Sequence, residues 1–187
     1  MRPIADKLVV LDLDQTLIYA SMFSLERATD VELGLAHGYR RPGARAFVRA
    51  CLERFRHVGV WTAATMEYAT DAVAAVIDDP SRLSFVWARE QCTRAFDDAT
   101  GEEYWAKDLA ALQRAGHGLA SIIVVDDDLV AWGEHRDNVL LVSKYRGALD
   151  DGELDSVLLR LDDLASAEDV RPMIAALRPV ACGAQET

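Results

Sequence analysis

The chain has 187 residues, of which 51% are hydrophobic, and this is enough to form the core of one domain. The formal net charge is −11 and the 20 lysine and arginine residues are scattered, so we expect no direct binding to nucleic acids. Neither a secretion signal nor a stretch of roughly 18 apolar residues is found, so we predict a cytoplasmic protein without membrane association.

The cysteines Cys51, Cys92 and Cys182 are far apart in the chain and form no CxxC pair. This arrangement indicates neither a disulfide framework nor a thiolate zinc site. A reducing cytoplasm fits this cysteine usage best.

Short runs of apolar and β-branched residues predict five β-strands. They cover residues 8–11, 58–61, 83–87, 122–125 and 139–142. The runs are nearly continuous in apolar character, which is typical of strands that other elements cover on both faces.

Helical patterns lie between and after these strands. They cover residues 43–55, 67–77, 106–114, 151–161 and 166–177. Alternating strands and helices indicate an α/β fold with a doubly wound parallel sheet, in which ligands bind at the carboxyl ends of the strands. We expect one domain over residues 1–177 and a flexible tail over 178–187.

Polar residues follow three of the predicted strands. Asp12 and Asp14 come after the first strand, Thr62 after the second, and Asp126 with Asp127 after the fourth. Ionised groups at the end of a buried strand are costly unless they are paired or bind a metal. Four carboxylates and a hydroxyl at one sheet edge favour a site for a hard divalent cation and a phosphoryl group.

Lys107 opens the predicted helix before the fourth strand and adds an ammonium group to the same edge. In chain order the motifs are DLDQTL, WT, the lysine of WAKDL, and VVDDD. This ordered set resembles the four motifs of the haloacid dehalogenase superfamily of phosphohydrolases. More narrowly, the segments YRRPGARAFV, VWTAATMEYA, AREQC and HRDNVLLVSKYRGALDDGELDSVLLRL resemble the phosphatase domain of small carboxy-terminal-domain phosphatases and NLI-interacting-factor-like proteins. The resemblance runs over residues 7–177.

The resemblance implies a Rossmann-like haloacid dehalogenase fold and a role for each carboxylate. Asp12 would be the nucleophile that forms an aspartyl-phosphate. Asp14 would be the acid that protonates the leaving oxygen and then activates water. The cofactor would be Mg²⁺, held by Asp12, the backbone carbonyl of Asp14, Asp126 and Asp127.

The same resemblance implies a set of groups that bind the phosphoryl oxygens. Thr62 would donate a hydrogen bond to them and Lys107 would offset their charge. Thr16, Ala63 and Arg41 are further candidates for substrate binding, although the RPG segment that contains Arg41 can also simply begin a helix.

Members of the superfamily that act on small metabolites usually carry a large cap domain, and this chain has no room for one. Residues 17–40 hold at most a short helix, and residues 94–104 form a small excursion. We therefore expect an open groove between the loop over 20–40 and this excursion. Its candidate apolar walls are Phe96, Tyr104 and Trp105. The expected partner is a phosphoserine or phosphothreonine protein segment, or another extended phosphomonoester.

Two alternative functions remain open. A catalytically silent binding module would fit the same domain, although such modules tend to lose an active-site aspartate and this chain keeps every one. A phosphotransferase or phosphomutase would use the same residues as a hydrolase.

An EF-hand is excluded, because Leu17 and Phe23 stand where that loop requires Gly and Glu. The sequence does not indicate the oligomeric state.

Overall fold

The computed structural model describes residues 4–97 and 100–178. The strands within these residues are β1 (Ala5–Leu11), β2 (Ile18–Ser21), β3 (Val31–Leu33), β4 (Ala36–Arg40), β5 (Phe55–Trp61), β6 (Phe85–Trp87), β7 (Thr93–Phe96), β8 (Glu103–Ala106), β9 (Ile122–Asp126) and β10 (Val139–Leu141). The α-helices are α1 (Ala44–Arg54), α2 (Met66–Val76), α3 (Ala110–Arg114), α4 (Glu153–Leu164) and α5 (Arg171–Ala176).

The main sheet has five parallel strands in the order β10-β9-β1-β5-β6. All five predicted strands are confirmed, and β1 lies at the centre, where Val10 pairs with Gly59 of β5 and Val124 of β9. Because the strands are parallel, their carboxyl ends meet at one edge. The segments that follow β1, β5, β9 and β10 are thereby brought together.

The two faces of this sheet carry two apolar clusters. On one face Val9 and Leu11 of β1 pack with buried side chains of α1, α2 and α4. On the other face Leu8 and Val10 pack with residues of α3 and with Trp132 of a 3₁₀ segment, Val130–Asn138. Helical segments therefore cover both faces, which confirms the predicted doubly wound architecture.

The prediction for residues 17–40 is wrong. Instead of a short helix at most, this segment forms an antiparallel sheet in the order β2-β4-β3, in which Tyr19 pairs with Tyr39. The turn between β3 and β4 contains Gly34 at φ 62°, a left-handed conformation that glycine adopts at low cost. The Tyr39 hydroxyl accepts a hydrogen bond from the Leu25 backbone N–H at 2.7 Å and so ties the β2–β3 connection to the sheet.

The predicted helix over residues 106–114 begins later than expected. Residues 103–106 belong to β8, which pairs with β7 in an antiparallel hairpin where Trp105 faces Arg94. The aromatic residues of this segment favour a strand, and α3 starts only at Ala110. Lys107 therefore lies on the connection between a strand and a helix, not on a helix.

The excursion predicted over residues 94–104 belongs to this hairpin, whose residues 98 and 99 lie outside the described part of the chain. The described residues of 17–40 and 62–107 form two small antiparallel sheets, the edge strand β6 of the main sheet, one α-helix and short 3₁₀ turns. The predicted last helix is shorter than expected and spans Arg171–Ala176. Apart from Arg178, the predicted tail lies outside the described residues.

In the described part of the chain, every helix falls short of the length and apolar character needed to cross a bilayer.

Candidate active site

Two of the predicted aspartates meet where neighbouring strands end. Asp12 directly follows β1, and Asp126 is the last residue of β9. The Asp12 backbone N–H donates to the Val125 carbonyl at 3.0 Å, which extends the pairing of the two strands by one residue. Both side chains are buried, with residue exposures of 5% for Asp12 and 2% for Asp126. Two carboxylates so enclosed require a cationic partner.

Lys107 provides that partner. Its Nζ lies 2.7 Å from Asp12 Oδ1 and 2.8 Å from Asp126 Oδ2, and the residue is itself buried. Its backbone N–H donates to the Ala131 carbonyl at 2.7 Å, which holds the connection after β8 against the 3₁₀ segment. Trp132 in that segment donates from Nε1 to Asp126 Oδ2 at 2.8 Å and places its ring 5.1 Å from the Lys107 ammonium.

Asp14 is held by two hydroxyl groups. Thr62, which follows β5, donates from Oγ1 to Asp14 Oδ2 at 3.2 Å. Tyr68 on α2 donates from its hydroxyl to Asp14 Oδ1. The chain turns at Gln15, whose φ of 59° is unusual for a residue with a side chain and whose N–H donates to the Ile18 carbonyl. Both oxygens of Asp14 are thereby oriented in the cleft.

Asp127 has one neutral and one cationic neighbour. Thr16 donates from Oγ1 to Asp127 Oδ1 at 3.2 Å, and Lys144 Nζ lies 3.5 Å from Asp127 Oδ2. One carboxylate oxygen from each of Asp12, Asp126 and Asp127 lies within 4.8 Å of the others. This is an all-oxygen donor set of the kind that Mg²⁺ prefers, so the residues fit the predicted ion.

The protonation of the site is set by burial and by the mixture of charges. Burial raises the pKa of Asp12 well above its usual value, the charge of Asp126 adds to this, and the Lys107 ammonium opposes it. Burial alone would lower the pKa of Lys107, but the two carboxylates outweigh it and raise that pKa. Burial also raises the pKa of Asp14, against the hydrogen bonds from Tyr68 and Thr62.

These residues line an open cleft of about 270 Å³. Its lining comprises Asp12, Asp14, Gln15, Thr62, Ala63, Tyr104, Trp105, Lys107, Asp126, Asp127, Asp128, Ala131 and Lys144. Tyr104 and Trp105 are therefore walls, as predicted. Phe96 is 61% exposed and lies outside this lining, and so does the antiparallel sheet over 18–40 that was expected to form one border.

Arg41 and Thr16 lie behind the cleft rather than on its surface. The Arg41 guanidinium is buried and binds both oxygens of Asp151, at 2.8 and 2.9 Å, together with the Thr16 carbonyl and the Ser143 hydroxyl. Thr16 is fully buried and uses its hydroxyl on Asp127. Both residues were candidates for substrate binding. In the structure they instead lie behind the cleft, where they hold neighbouring residues of the site.

Three side chains that contact the aspartates of the site were not predicted. Tyr68 lies six positions after Thr62, in the first turn of α2, and only the fold shows that it reaches Asp14. Trp132 gives no sequence signal of its contact with Asp126. Lys144 could have been found, because it follows the fifth predicted strand as the other site residues follow theirs.

Comparison with known proteins identifies the family. The sequence matches the family of NLI interacting factor-like phosphatases over residues 7–171. The chain belongs to this family. The match confirms the resemblance read from the motifs and, with it, membership of the haloacid dehalogenase superfamily. It covers every residue of the cleft.

Curated relatives share this domain. A probable C-terminal domain small phosphatase from Dictyostelium discoideum is 32% identical over 177 residues, which cover 91% of this chain and 54% of that protein. The human carboxy-terminal domain RNA polymerase II polypeptide A small phosphatase 1 is 29% identical over 183 residues, 94% of this chain and 66% of that protein. The chain therefore spans between half and two thirds of these relatives.

Solved structures have the same fold. The structure of Fcp1, an essential RNA polymerase II CTD phosphatase, superimposes with a TM-score of 0.52 at 20% identity, over 86% of this chain and 48% of that one. Fission yeast Fcp1-R271A bound to beryllium fluoride gives a TM-score of 0.54 at 16% identity, over 91% and 54% of the two chains. Both comparisons show the α/β fold.

Proposed function

We propose that this chain is a Mg²⁺-dependent phosphomonoesterase that works through an aspartyl-phosphate on Asp12. The observation that carries the proposal is the Lys107 ammonium between the carboxylates of Asp12 and Asp126, at 2.7 and 2.8 Å. A buried cation at this point offsets the charge of a carboxylate nucleophile and of the phosphoryl group that it attacks. Membership of a family of phosphatases supports the same activity.

Asp12 acts in the first step as the nucleophile. One of its carboxylate oxygens forms a bond to phosphorus while the bond between phosphorus and the leaving oxygen breaks, and the bonding electrons stay on the leaving oxygen. The phosphoryl group is now on Asp12. Because Asp12 lies at the end of the central strand and is held by Lys107, its carboxylate needs little rearrangement to react.

Asp14 moves the proton in both steps. It first gives a proton to the leaving oxygen, which departs as an alcohol. It then accepts a proton from the water that attacks phosphorus, and this second displacement frees Asp12 and releases inorganic phosphate. The Tyr68 hydroxyl holds Asp14 for these transfers, and the Thr62 hydroxyl holds the other oxygen of Asp14 in the free protein.

Asp12, Asp126, Asp127 and the backbone carbonyl of Asp14 are the groups that would hold Mg²⁺. Bound there, the ion would stabilise negative charge on the phosphoryl oxygens as a Lewis acid. Thr62, Ala63 and Lys107 line the cleft. We assign them to the phosphoryl oxygens: Lys107 through its charge, Ala63 through its backbone N–H, and Thr62 through its hydroxyl, which would turn its one proton from Asp14 to a phosphoryl oxygen when substrate binds.

The proposed substrate is a phosphorylated protein segment. The cleft is open, and its apolar walls Tyr104 and Trp105 come from the hairpin β7–β8. A compact metabolite would leave much of its surface in water in such a cleft, whereas an extended chain can contact the rim on both sides. The name of the human relative, a small phosphatase of the carboxy-terminal domain of an RNA polymerase II polypeptide, supports a phosphorylated protein segment, and we propose that its phosphate is on serine or threonine.

Phosphate release tests this proposal most simply. We expect release from phosphoserine and phosphothreonine peptides in Mg²⁺, loss of release in excess chelator, and lower kcat/KM for compact sugar phosphates. Full activity in chelator, or a strong preference for one small metabolite, would contradict it. Release to water rather than transfer to added alcohols separates a hydrolase from a phosphotransferase, and peptide binding without release would indicate a silent binding module.

A further inference from the structure

Lys144 is a half-exposed cation at the mouth of the cleft. Its side chain is 50% exposed and its Nζ lies 3.5 Å from Asp127 Oδ2. That distance is long for a charge-assisted hydrogen bond, and an ammonium has three N–H donors. Lys144 can therefore bind a second anionic group without large movement. Lys107, in contrast, is buried between two carboxylates at 2.7 and 2.8 Å.

The backbone around Lys144 is fixed on both sides. The Ser143 hydroxyl accepts a hydrogen bond from Arg41 at 3.0 Å. Tyr145 is buried and makes two hydrogen bonds. Its backbone N–H donates to the Gln15 carbonyl at 2.7 Å, and its hydroxyl donates to the Arg40 carbonyl at 2.8 Å. The base of the Lys144 side chain is thus held in a fixed position relative to the first motif. Such preorganisation lowers the entropy lost when the side chain binds a ligand.

The charges that line the cleft give Lys144 a specific task. Carboxylates from Asp12, Asp14, Asp126, Asp127 and Asp128 outnumber the lysine ammonium groups in the lining. Anionic substrates must therefore overcome repulsion at the mouth, where Lys144 is the exposed cation among the described lining residues. An extended substrate with its phosphate beside Asp12 would place its neighbouring residues at this rim.

We propose that Lys144 selects substrates that carry a second anionic group, a carboxylate or another phosphate, within a few residues of the phosphate that is removed. This inference rests on the proposed function, because it concerns how that same cleft recognises an extended phosphomonoester. In the free protein the ammonium pairs with Asp127, and on binding it contacts the second anion of the substrate.

The test compares phosphopeptides that differ only in one flanking residue. One peptide has uncharged neighbours, and the others carry a single glutamate or a second phosphoserine at successive positions on either side. We expect the best-placed anion to raise kcat/KM about fivefold, the size of a partly exposed charge pair, and salt to reduce this ratio. Lys144→Met should bring the ratio to about one, and Lys144→Arg should retain most of it.

Arg146→Met is the matched control. Arg146 is exposed two residues further along the same segment and lies outside the cleft lining, so the variant removes the same charge without touching the cleft. It should keep the wild-type ratio. Equal losses on all peptides in Lys144→Met, or a wild-type ratio near one, would overturn the proposal.

Binding measured without turnover separates this inference from the proposed function. Binding of labelled peptides is measured by fluorescence anisotropy. Asp12→Asn should bind the peptide with the best-placed second anion more tightly than the uncharged one. Asp12→Asn combined with Lys144→Met should lose this preference. If wild type releases phosphate from all peptides at equal rates and binding shows no preference, only the role of Lys144 fails. If no phosphate is released from any substrate, the proposed function fails, and the anisotropy ratio still decides for or against Lys144.

Discussion

The Tyr68 hydroxyl donates a hydrogen bond to Asp14 across the gap between α2 and the loop after β1. Burial, together with the charge of Asp14, raises the pKa of Tyr68, so the hydroxyl remains a donor at ordinary pH. Thr62 holds the other oxygen of Asp14. Tyr68 therefore has a positioning role toward the group that we assign to proton transfer.

Tyr68→Phe removes this hydrogen bond and leaves the ring. We expect kcat/KM to fall about tenfold for a phosphoserine peptide, whose alcohol is a poor leaving group and needs a well-oriented acid. The loss should be smaller for p-nitrophenyl phosphate, which departs without protonation. Equal losses on both substrates would argue that Tyr68 supports the fold and not Asp14.

Thr16→Val removes the hydroxyl that holds Asp127, in a fully buried position of similar volume. Partners that orient a ligating carboxylate affect metal affinity, so we expect Mg²⁺ binding to weaken about tenfold in calorimetry. Thr16→Ser keeps the hydroxyl and should bind Mg²⁺ as wild type does. Unchanged affinity in Thr16→Val would show that Asp127 needs no such support.

The ion pair between Arg41 and Asp151 predicts a pH-dependent stability. Burial works against ionisation of Asp151, but the hydrogen bonds from Arg41 prevail and lower its pKa. A carboxyl with a lowered folded-state pKa stabilises the fold above its unfolded pKa of about 3.9, and that stabilisation is lost as pH falls through the folded value.

Asp151→Asn leaves the buried Arg41 without its charged partner, and breaking such a pair costs about 3 kcal/mol. In urea unfolding at pH 7 we expect a loss of this size relative to wild type, and a smaller difference below about pH 4. Asp150→Asn, at the exposed neighbouring aspartate, should change little at either pH. A difference independent of pH would contradict the ionic origin of the effect.

Gly59 on β5 provides a test of the fold that does not involve the site. A Cβ there would lie 2.3 to 2.6 Å from ring carbons of Phe85, which pairs with Gly59 from β6 and packs 4.6 Å from Trp87. Gly59→Ala should lower the free energy of unfolding by about 2 kcal/mol, because the ring must move. Gly118→Ala meets nothing within 4 Å and should stay within about 0.5 kcal/mol of wild type.

The apolar runs in the sequence predicted the main sheet. The position of Asp12 and Asp126 at the carboxyl ends of two of its strands predicted that these residues meet. Both follow from local pattern, since apolar runs define the strands and parallel pairing brings their carboxyl ends together. The antiparallel sheet β2-β4-β3 was not predicted, because its strands are short and depend on pairs such as Tyr19 with Tyr39. β-Propensity is decided largely by such partners, which sequence does not show.

The supporting contacts of the site could not be predicted for a related reason. Arg41 was a candidate for substrate binding, but it is buried against Asp151, 110 residues away in sequence. The reach of Lys144 to Asp127 likewise depends on where the segment after β10 lies. Side chains that support a site from a distance are specified by tertiary packing, whereas Asp12 and Lys107 could be found from the order of the motifs.

The initial rate of phosphate release by Asp12→Asn tests the central claim most directly. Removing the nucleophile while keeping the shape of the side chain should lower kcat by more than about 10³-fold on a phosphoserine peptide in Mg²⁺. The urea unfolding transition should remain cooperative, and Asp71→Asn, an exposed aspartate on α2, should retain the wild-type rate. A rate for Asp12→Asn within tenfold of wild type would contradict the assignment of Asp12 as the nucleophile.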